Sequence, residues 1–151
     1  MKKNKTIYVP MGADIIHTGH LNIIKKAKKY GEIVIGLFTD SAIAEYKTLP
    51  LINYSQRLEI MKNFKGISKI IKQDTWDYSN NLNKLKPNYV IHGDDWKKGI
   101  QQKTRLNVIK LLKRWKGRLI EVPYTKKVNI NENKKNLNNI FHNPETRVSR
   151  L

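Results

Sequence analysis

Tyr8-Val9-Pro10-Met11-Gly12-Ala13-Asp14-Ile15-Ile16-His17-Thr18-Gly19-His20 is the stretch that decides the fold. Ile7 to Val9 is a short apolar run and reads as a strand. A loop with Gly12 follows, then a periodic helix from about Gly19 to Tyr30. Strand, glycine-bearing turn and helix start together make an anion site. The first helical N–H groups lack intrahelical partners, and the macrodipole puts partial positive charge there. Gly19 leaves room for a ligand to approach the backbone. His17 and His20 are three residues apart and share a face of the first turn. Such a pair can donate hydrogen bonds to a phosphate that gains charge during attack.

Working outward, Leu21, Ile23, Ile24 and Ala27 supply the buried stripe of this helix, and Lys25, Lys26, Lys28 and Lys29 its solvated face. Gly31 is expected as its C-cap. Glu32 to Phe38 reads as a buried strand, continuous in apolar residues as parallel sheets require. Thr39-Asp40 closes that strand and caps a helix running to about Tyr46. Asn53-Tyr54-Ser55-Gln56-Arg57 opens the next helix, to about Asn63. Gly66 to Lys72, Pro87 to His92 and Gly117 to Val122 read as further strands. Helices over about Asn80–Leu85 and Ile100–Trp115 separate them. This alternation predicts an α/β fold, Rossmann-like, with a parallel five-stranded sheet and helices on both faces. Ligands in such sheets bind beyond the carboxyl ends of the strands. His17, Thr39-Asp40, Gly93-Asp94-Asp95 and Tyr124-Thr125 all follow strands. Residues 1–125 are expected to form the domain. Residues 126–151 are a Lys/Asn-rich segment, expected as a linker or docking arm.

The chain has 151 residues, 39% apolar and 28% charged, which suits one domain with a proper core. Without cysteine it has no disulfide framework, no thiolate metal site and no thiol nucleophile. No apolar run approaches ~18 residues, and the basic start is not followed by an apolar segment. A soluble, cytoplasmic protein without membrane association is expected. The net charge of +18 raises nucleic-acid binding. The charge is mostly lysine, however, and is spread along the sequence, so nucleic acid is not the expected partner. A basic surface would still draw anionic nucleotides toward a cleft.

Asp14-x-x-His17-x-Gly19-His20 resembles the HxGH signature of the nucleotidyltransferase superfamily. With Tyr54-Ser55-Gln56-Arg57 and His92-Gly93-Asp94-Asp95-Trp96, the resemblance extends over nearly the whole chain to small cytidylyltransferases. Tyr46-Lys47-Thr48-Leu49-Pro50, Lys97 after the Gly-Asp-Asp-Trp motif, and Glu121-Val122-Pro123-Tyr124-Thr125 are similar to the phosphonate branch. Members of that branch are often fused to a phosphoenolpyruvate phosphomutase. Residues 143–151 look like a junction toward such a partner.

The resemblance implies transfer of CMP from CTP to a small phosphonate such as 2-aminoethylphosphonate, with release of pyrophosphate. It implies catalytic roles for His17, His20 and Lys47. It implies nucleotide contacts from Gly12, Ala13, Asp14, Gly19, Arg57, Asp94, Asp95, Trp96, Tyr124, Thr125 and Asn129. Arg57 either binds a phosphate or pairs with a carboxylate. Asp94 and Asp95 recognise the nucleotide or hold Mg²⁺, the divalent ion expected with a triphosphate. Trp76 and Tyr78 either line the acceptor pocket or simply pack. A homodimer is expected. Alternative acceptors are glycerol 3-phosphate, phosphocholine and phosphoethanolamine. The family's Gly-Ile-Ser-Ser/Thr-Thr segment is replaced here by Lys127-Val128-Asn129-Ile130-Asn131. That departure motivates the remaining alternative, a non-catalytic module that binds a nucleotide or scaffolds a partner.

Overall fold

The computed structural model describes residues 4–123. Five strands, β1 (Thr6–Met11), β2 (Glu32–Phe38), β3 (Ile67–Gln73), β4 (Tyr89–Gly93) and β5 (Arg118–Val122), make one sheet in the order β3-β2-β1-β4-β5. Every neighbouring pair is parallel. Helices α1 (Thr18–Lys28), α2 (Asp40–Ala44), α3 (Tyr54–Lys62), α4 (Ser79–Leu85) and α5 (Gln102–Lys113) cover it. The expected α/β class and five-stranded parallel sheet are present.

Alternation along the strands builds two cores. Ile7, Val9, Ile33, Ile35 and Leu37 face the helices that carry Ile24, Ala27 and Met61. Tyr8, Val34, Phe38 and Val90 face the opposite layer, with Ala42, Leu82, Val108 and Leu112. β1 and β2 are apolar on both faces because both faces are covered. β3 is an edge strand, and exposed Lys69 and Lys72 interrupt it, which discourages pairing with another sheet.

The connection from β3 to β4 crosses to the far side of β1. The point where strand order reverses therefore lies between β1 and β4, and the ligand crevice of open α/β sheets lies at the carboxyl ends of such a pair.

Element boundaries fall within a few residues of those expected, with one change of role. The cap of α1 is Lys29, not Gly31. Gly31 is glycine because the Lys5 carbonyl occupies the space a Cβ would need, and that carbonyl accepts the Glu32 N–H at 2.8 Å. A similar constraint acts at Gly36, over which the Tyr8 ring lies. The Tyr8 hydroxyl donates to Gln73 Oε1, and Asn81 Nδ2 donates to both oxygens. Burial pushes the Tyr8 phenol well above its usual range, so it stays a neutral donor. This polar bridge ties the central strand to the edge strand across β2.

Candidate active site

The loop between β1 and α1 carries Gly12, Ala13 and Asp14. Its left-handed residue is Ala13 (φ 54°), not Gly12, and Ala13 is buried. An alanine there carries a cost of about 1–2 kcal/mol relative to an ordinary backbone. Nothing in the sequence marks it, because glycine is the usual signal for that conformation.

His17 is the N-cap of α1, in extended backbone. Its Nδ1 accepts the Gly19 N–H at 3.0 Å. His20 Nδ1 in turn accepts the His17 N–H at 3.2 Å. The two imidazoles thus satisfy orphan donors of the helix start reciprocally, as a capping box does. An Nδ1 that accepts carries no proton, so in each neutral ring the proton sits on Nε2. The ring centroids are 4.1 Å apart. Burial lowers the pKa of His17. His20 is lowered to about 4 by burial, His17 and Lys47. Both rings are therefore neutral Nε2–H donors at neutral pH.

Gly19 has a different reason from the expected ligand approach. A Cβ at this position would lie 2.7 Å from His17 Cε1 and 2.8 Å from Nδ1. The space is occupied by the His17 ring itself, which could not lie against the helix backbone over any larger residue. Lys47 is exposed just after α2, close enough to His20 to lower its pKa.

Arg57 takes the carboxylate-pairing alternative rather than the phosphate-binding one. It is 0% exposed. Nε donates to Ile52 O (2.9 Å), Nη1 to Gly12 O (2.7 Å) and Phe38 O (2.6 Å), and Nη2 to Asp40 Oδ1 (2.7 Å). One buried cation thereby fixes the carboxyl-end loops of β1 and β2 and the entry to α3. Asp14 also acts on the frame, since its Oδ1 accepts the Ile52 N–H at 2.9 Å.

Across the crevice, Asp94–Lys97 form a single 3₁₀ turn after β4. His92 Nδ1–H donates to Gly93 O at 2.8 Å, and its ring stacks on Trp96 at 3.7 Å. The histidine missing from the expected site thus braces the turn that carries Asp94 and Asp95. Trp96 is buried in the core with no hydrogen-bond partner at Nε1, so it packs beneath the turn and is not placed to touch a nucleotide. Trp76 and Tyr78 take the packing alternative. Trp76 stacks on Phe38 at 4.6 Å and donates to Ala42 O at 2.5 Å, and Tyr78 is buried beside Phe38 and Trp96. Glu121, at the end of β5, accepts from Arg105 (2.6 Å) and Lys97 (2.9 Å). The two cations hold its carboxyl below the usual range despite partial burial.

No group of three or more His, Asp or Glu is placed to hold a metal among the described residues. Tyr124, Thr125, Asn129, the replaced segment 127–131 and the expected arm lie outside those residues.

Residues 13–143 match the family described as cytidylyltransferase-like. The FAD synthase of Archaeoglobus fulgidus is 30% identical over 100 residues, covering 62% of this chain and 73% of that protein. The ethanolamine-phosphate cytidylyltransferase of Dictyostelium discoideum is 30% identical over 96 residues, covering 62% of this chain but only 27% of that protein. Among solved structures, the lipopolysaccharide core biosynthesis protein of Thermoplasma volcanium superposes with a TM-score of 0.67 at 21% identity. It covers 82% of this chain and 98% of that one. The pantoate-beta-alanine ligase of Francisella tularensis gives 0.59 at 16%, covering 95% and 72%. These structural likenesses show the fold.

Two outcomes follow from the histidine cap. Gly19→Ala should keep its circular dichroism and shift its melting temperature little, because the helix propensity gained, about 1 kcal/mol, offsets the cap lost with His17, about 1 kcal/mol, while displacement of His17 lowers nucleotidyl-transfer turnover roughly 10²-fold. The lowered histidine pKa values also make stability fall with acidity. Unfolded histidines take up protons near pH ~6.5, whereas folded His20 resists until about 4. Stability contributed by neutral His20 is thus full above ~6.5 and is lost as pH drops toward 4, at up to ~1.4 kcal/mol per pH unit. Urea denaturation at pH 7 and pH 5 should show a smaller loss for His20→Asn than for the wild type.

Proposed function

The chain belongs to the cytidylyltransferase-like family, and from that premise we propose that it transfers CMP from CTP to a small phosphonate, 2-aminoethylphosphonate above all. Nucleotidyl transfer is the reaction class of the family. The finer reading rests on the resemblance of the Lys47, Gly-Asp-Asp-Trp and Glu121–Thr125 segments to the phosphonate branch.

The single observation that carries the mechanism is the pair of neutral histidines whose Nε2–H groups remain for a ligand at the N-terminus of α1. A phosphonate oxygen, already ionised near neutral pH, attacks the α-phosphorus of CTP. The bond from that phosphorus to the bridging oxygen of the β-phosphate breaks, and the electron pair leaves with pyrophosphate. No general base and no covalent enzyme intermediate are required. As the α-phosphate gains charge, His17 and His20 donate to its oxygens, and the helix N-terminus adds its partial positive charge. Lys47 neutralises the phosphonate or the leaving group. The Gly93–Asp95 turn, braced by His92 and Trp96, faces the nucleoside. Mg²⁺ belongs to this reading as an ion bound to the triphosphate. The described residues do not build a cage for it, and Mg²⁺ commonly keeps waters and phosphate oxygens as ligands.

A second reading, adenylyl transfer from ATP, is favoured by the FAD synthase relatives. Pyrophosphate release distinguishes the two. The measurement pairs CTP or ATP, each with Mg²⁺, with 2-aminoethylphosphonate, ethanolamine phosphate, glycerol 3-phosphate, phosphocholine and flavin mononucleotide. Release with CTP and the aminophosphonate alone is expected. Release with CTP and a phosphate ester only would move the acceptor to that ester. Release with ATP only would overturn the cytidylyl assignment. In the productive pair, His17→Ala should lower kcat about 10²–10³-fold, the usual cost of removing a transition-state donor, with the fold retained.

A further inference from the structure

We propose that the end of the sheet opposite the crevice is a docking face for an anionic lipid bilayer, which would hold the crevice facing away from the membrane. The observation is a segregation of charge that the linear sequence conceals. All five strands are parallel, so their starts share one end of the molecule. Exposed Lys5 leads into β1, Lys65 into β3, Lys86 into β4, and Lys116 and Arg118 into β5. Lys28, from the last turn of α1, lays its stem across Gly66 at the start of β3 and joins the helix layer to this face.

The carboxylates gather at the other end. Asp14, Asp40, Asp74, Asp94 and Asp95 follow strands, and Glu121 closes β5. At the basic end only Glu32 and Glu59 carry negative charge among the described residues. Glu32 accepts from Asn4, and Glu59 lies 3.9 Å from Lys62.

Helix dipoles account for part of this arrangement. The helices run against the strands, so their C-termini meet this end, and Lys28, Lys62 and Lys113 in last turns complement them. Lys5 precedes β1 and Arg118 is the first residue of β5, and neither lies in the last turn of a helix. The face spans four strand spacings, about 19 Å, and lies about 20 Å from the crevice. Nucleotide binding at the crevice therefore does not explain it.

The spread of the charge favours an extended anionic surface. It is distributed over the starts of the strands and the C-termini of the helices, and among the described residues every helix connects two strands, so none is added at this end to enter a nucleic-acid groove. The tyrosines nearest it, Tyr30 and Tyr89, are half-buried against each other at 5.1 Å, and Lys5 Nζ lies 5.3 Å from the Tyr89 ring. They do not offer the open faces on which unpaired bases stack. Lysines act as compact point charges, and a plane of anionic headgroups attracts such charges without requiring a fixed geometry. Of the large apolar residues exposed among the described residues, Tyr46, Leu49, Leu51, Ile100 and Leu106 lie toward the other end, and Ile60, near the C-terminus of α3, lies toward this one, a single apolar side chain among the lysines. The contact is thus electrostatic adsorption without insertion, and salt releases it.

The test is co-sedimentation of the full chain with vesicles of phosphatidylcholine alone and of phosphatidylcholine with phosphatidylglycerol at about 7:3. Two triple variants carry the same change in net charge. One is Lys65→Glu, Lys116→Glu, Arg118→Glu at the basic end. The other is Lys72→Glu, Lys98→Glu, Lys103→Glu toward the crevice end. Both leave residues 124–151 unchanged, and circular dichroism confirms that each is folded. The expected result is binding to the anionic vesicles only, abolished by about 0.5 M salt. The basic-end variant should bind more than ~10-fold more weakly, with the other variant near wild type. Equal weakening by both variants would mean that net charge alone acts, and would overturn the proposal. So would failure to bind anionic vesicles at low salt. Tighter binding to duplex DNA than to vesicles, weakened by the same basic-end variant, would replace the bilayer with nucleic acid.

Discussion

The site depends on a reciprocal hydrogen-bonded cap. His17 and His20 each lend Nδ1 to a backbone N–H at the start of α1. This interaction satisfies donors that every helix leaves open, and it also decides where the imidazole protons reside. A structural requirement of the helix thereby produces two donors aimed away from it. Gly19 is the condition for the arrangement, since the His17 ring occupies the volume of the missing side chain. The low pKa values complete it by keeping both rings neutral where a phosphate would meet them.

A buried cation fixes the loop that leads into this cap. Arg57 joins Gly12, Phe38, Asp40 and Ile52, which belong to three different loops at one end of the sheet. Removing one partner of such a pair leaves a buried charge unmatched, so the loops are fixed as a set. The same segment carries Lys47 toward His20. On the other side of the crevice, the His92–Trp96 stack and the ion pairs of Glu121 steady the turn after β4. Each wall of the crevice is thus held by contacts that need no ligand.

Much of this was legible in the sequence, and for physical reasons. Continuous apolar runs at Ile7 to Val9 and Glu32 to Phe38 can only be buried on both faces, and the alternation with helical periods then requires a parallel sheet. The capping residues Thr39 and Asn53 signalled their helices, and each side chain does accept a backbone N–H. Periodicity does not reveal strand order, because the crossover after β3 is a tertiary choice. Gly19 was legible as a constrained position but not as a seat for His17. Arg57, Trp76 and Tyr78 each carried two readings, and burial selects the structural one. Ala13 was illegible because its left-handed backbone comes from the surrounding contacts and not from its own chemistry. The segregation of charge was hidden too, since lysines spread along a chain converge only when parallel strands align their starts.

The catalytic use of the cap requires that both histidines be neutral Nε2–H tautomers facing the nucleotide phosphates. Long-range ¹H–¹⁵N correlation spectra of protein labelled at histidine nitrogen report tautomer and charge for each ring. The Nε2–H pattern is expected for His17 and His20 at pH 7, with both rings shifting on titration with CTP and Mg²⁺ while Nδ1 stays unprotonated. An Nδ1–H pattern, a charged ring in the free protein, or spectra unchanged by saturating nucleotide would contradict it.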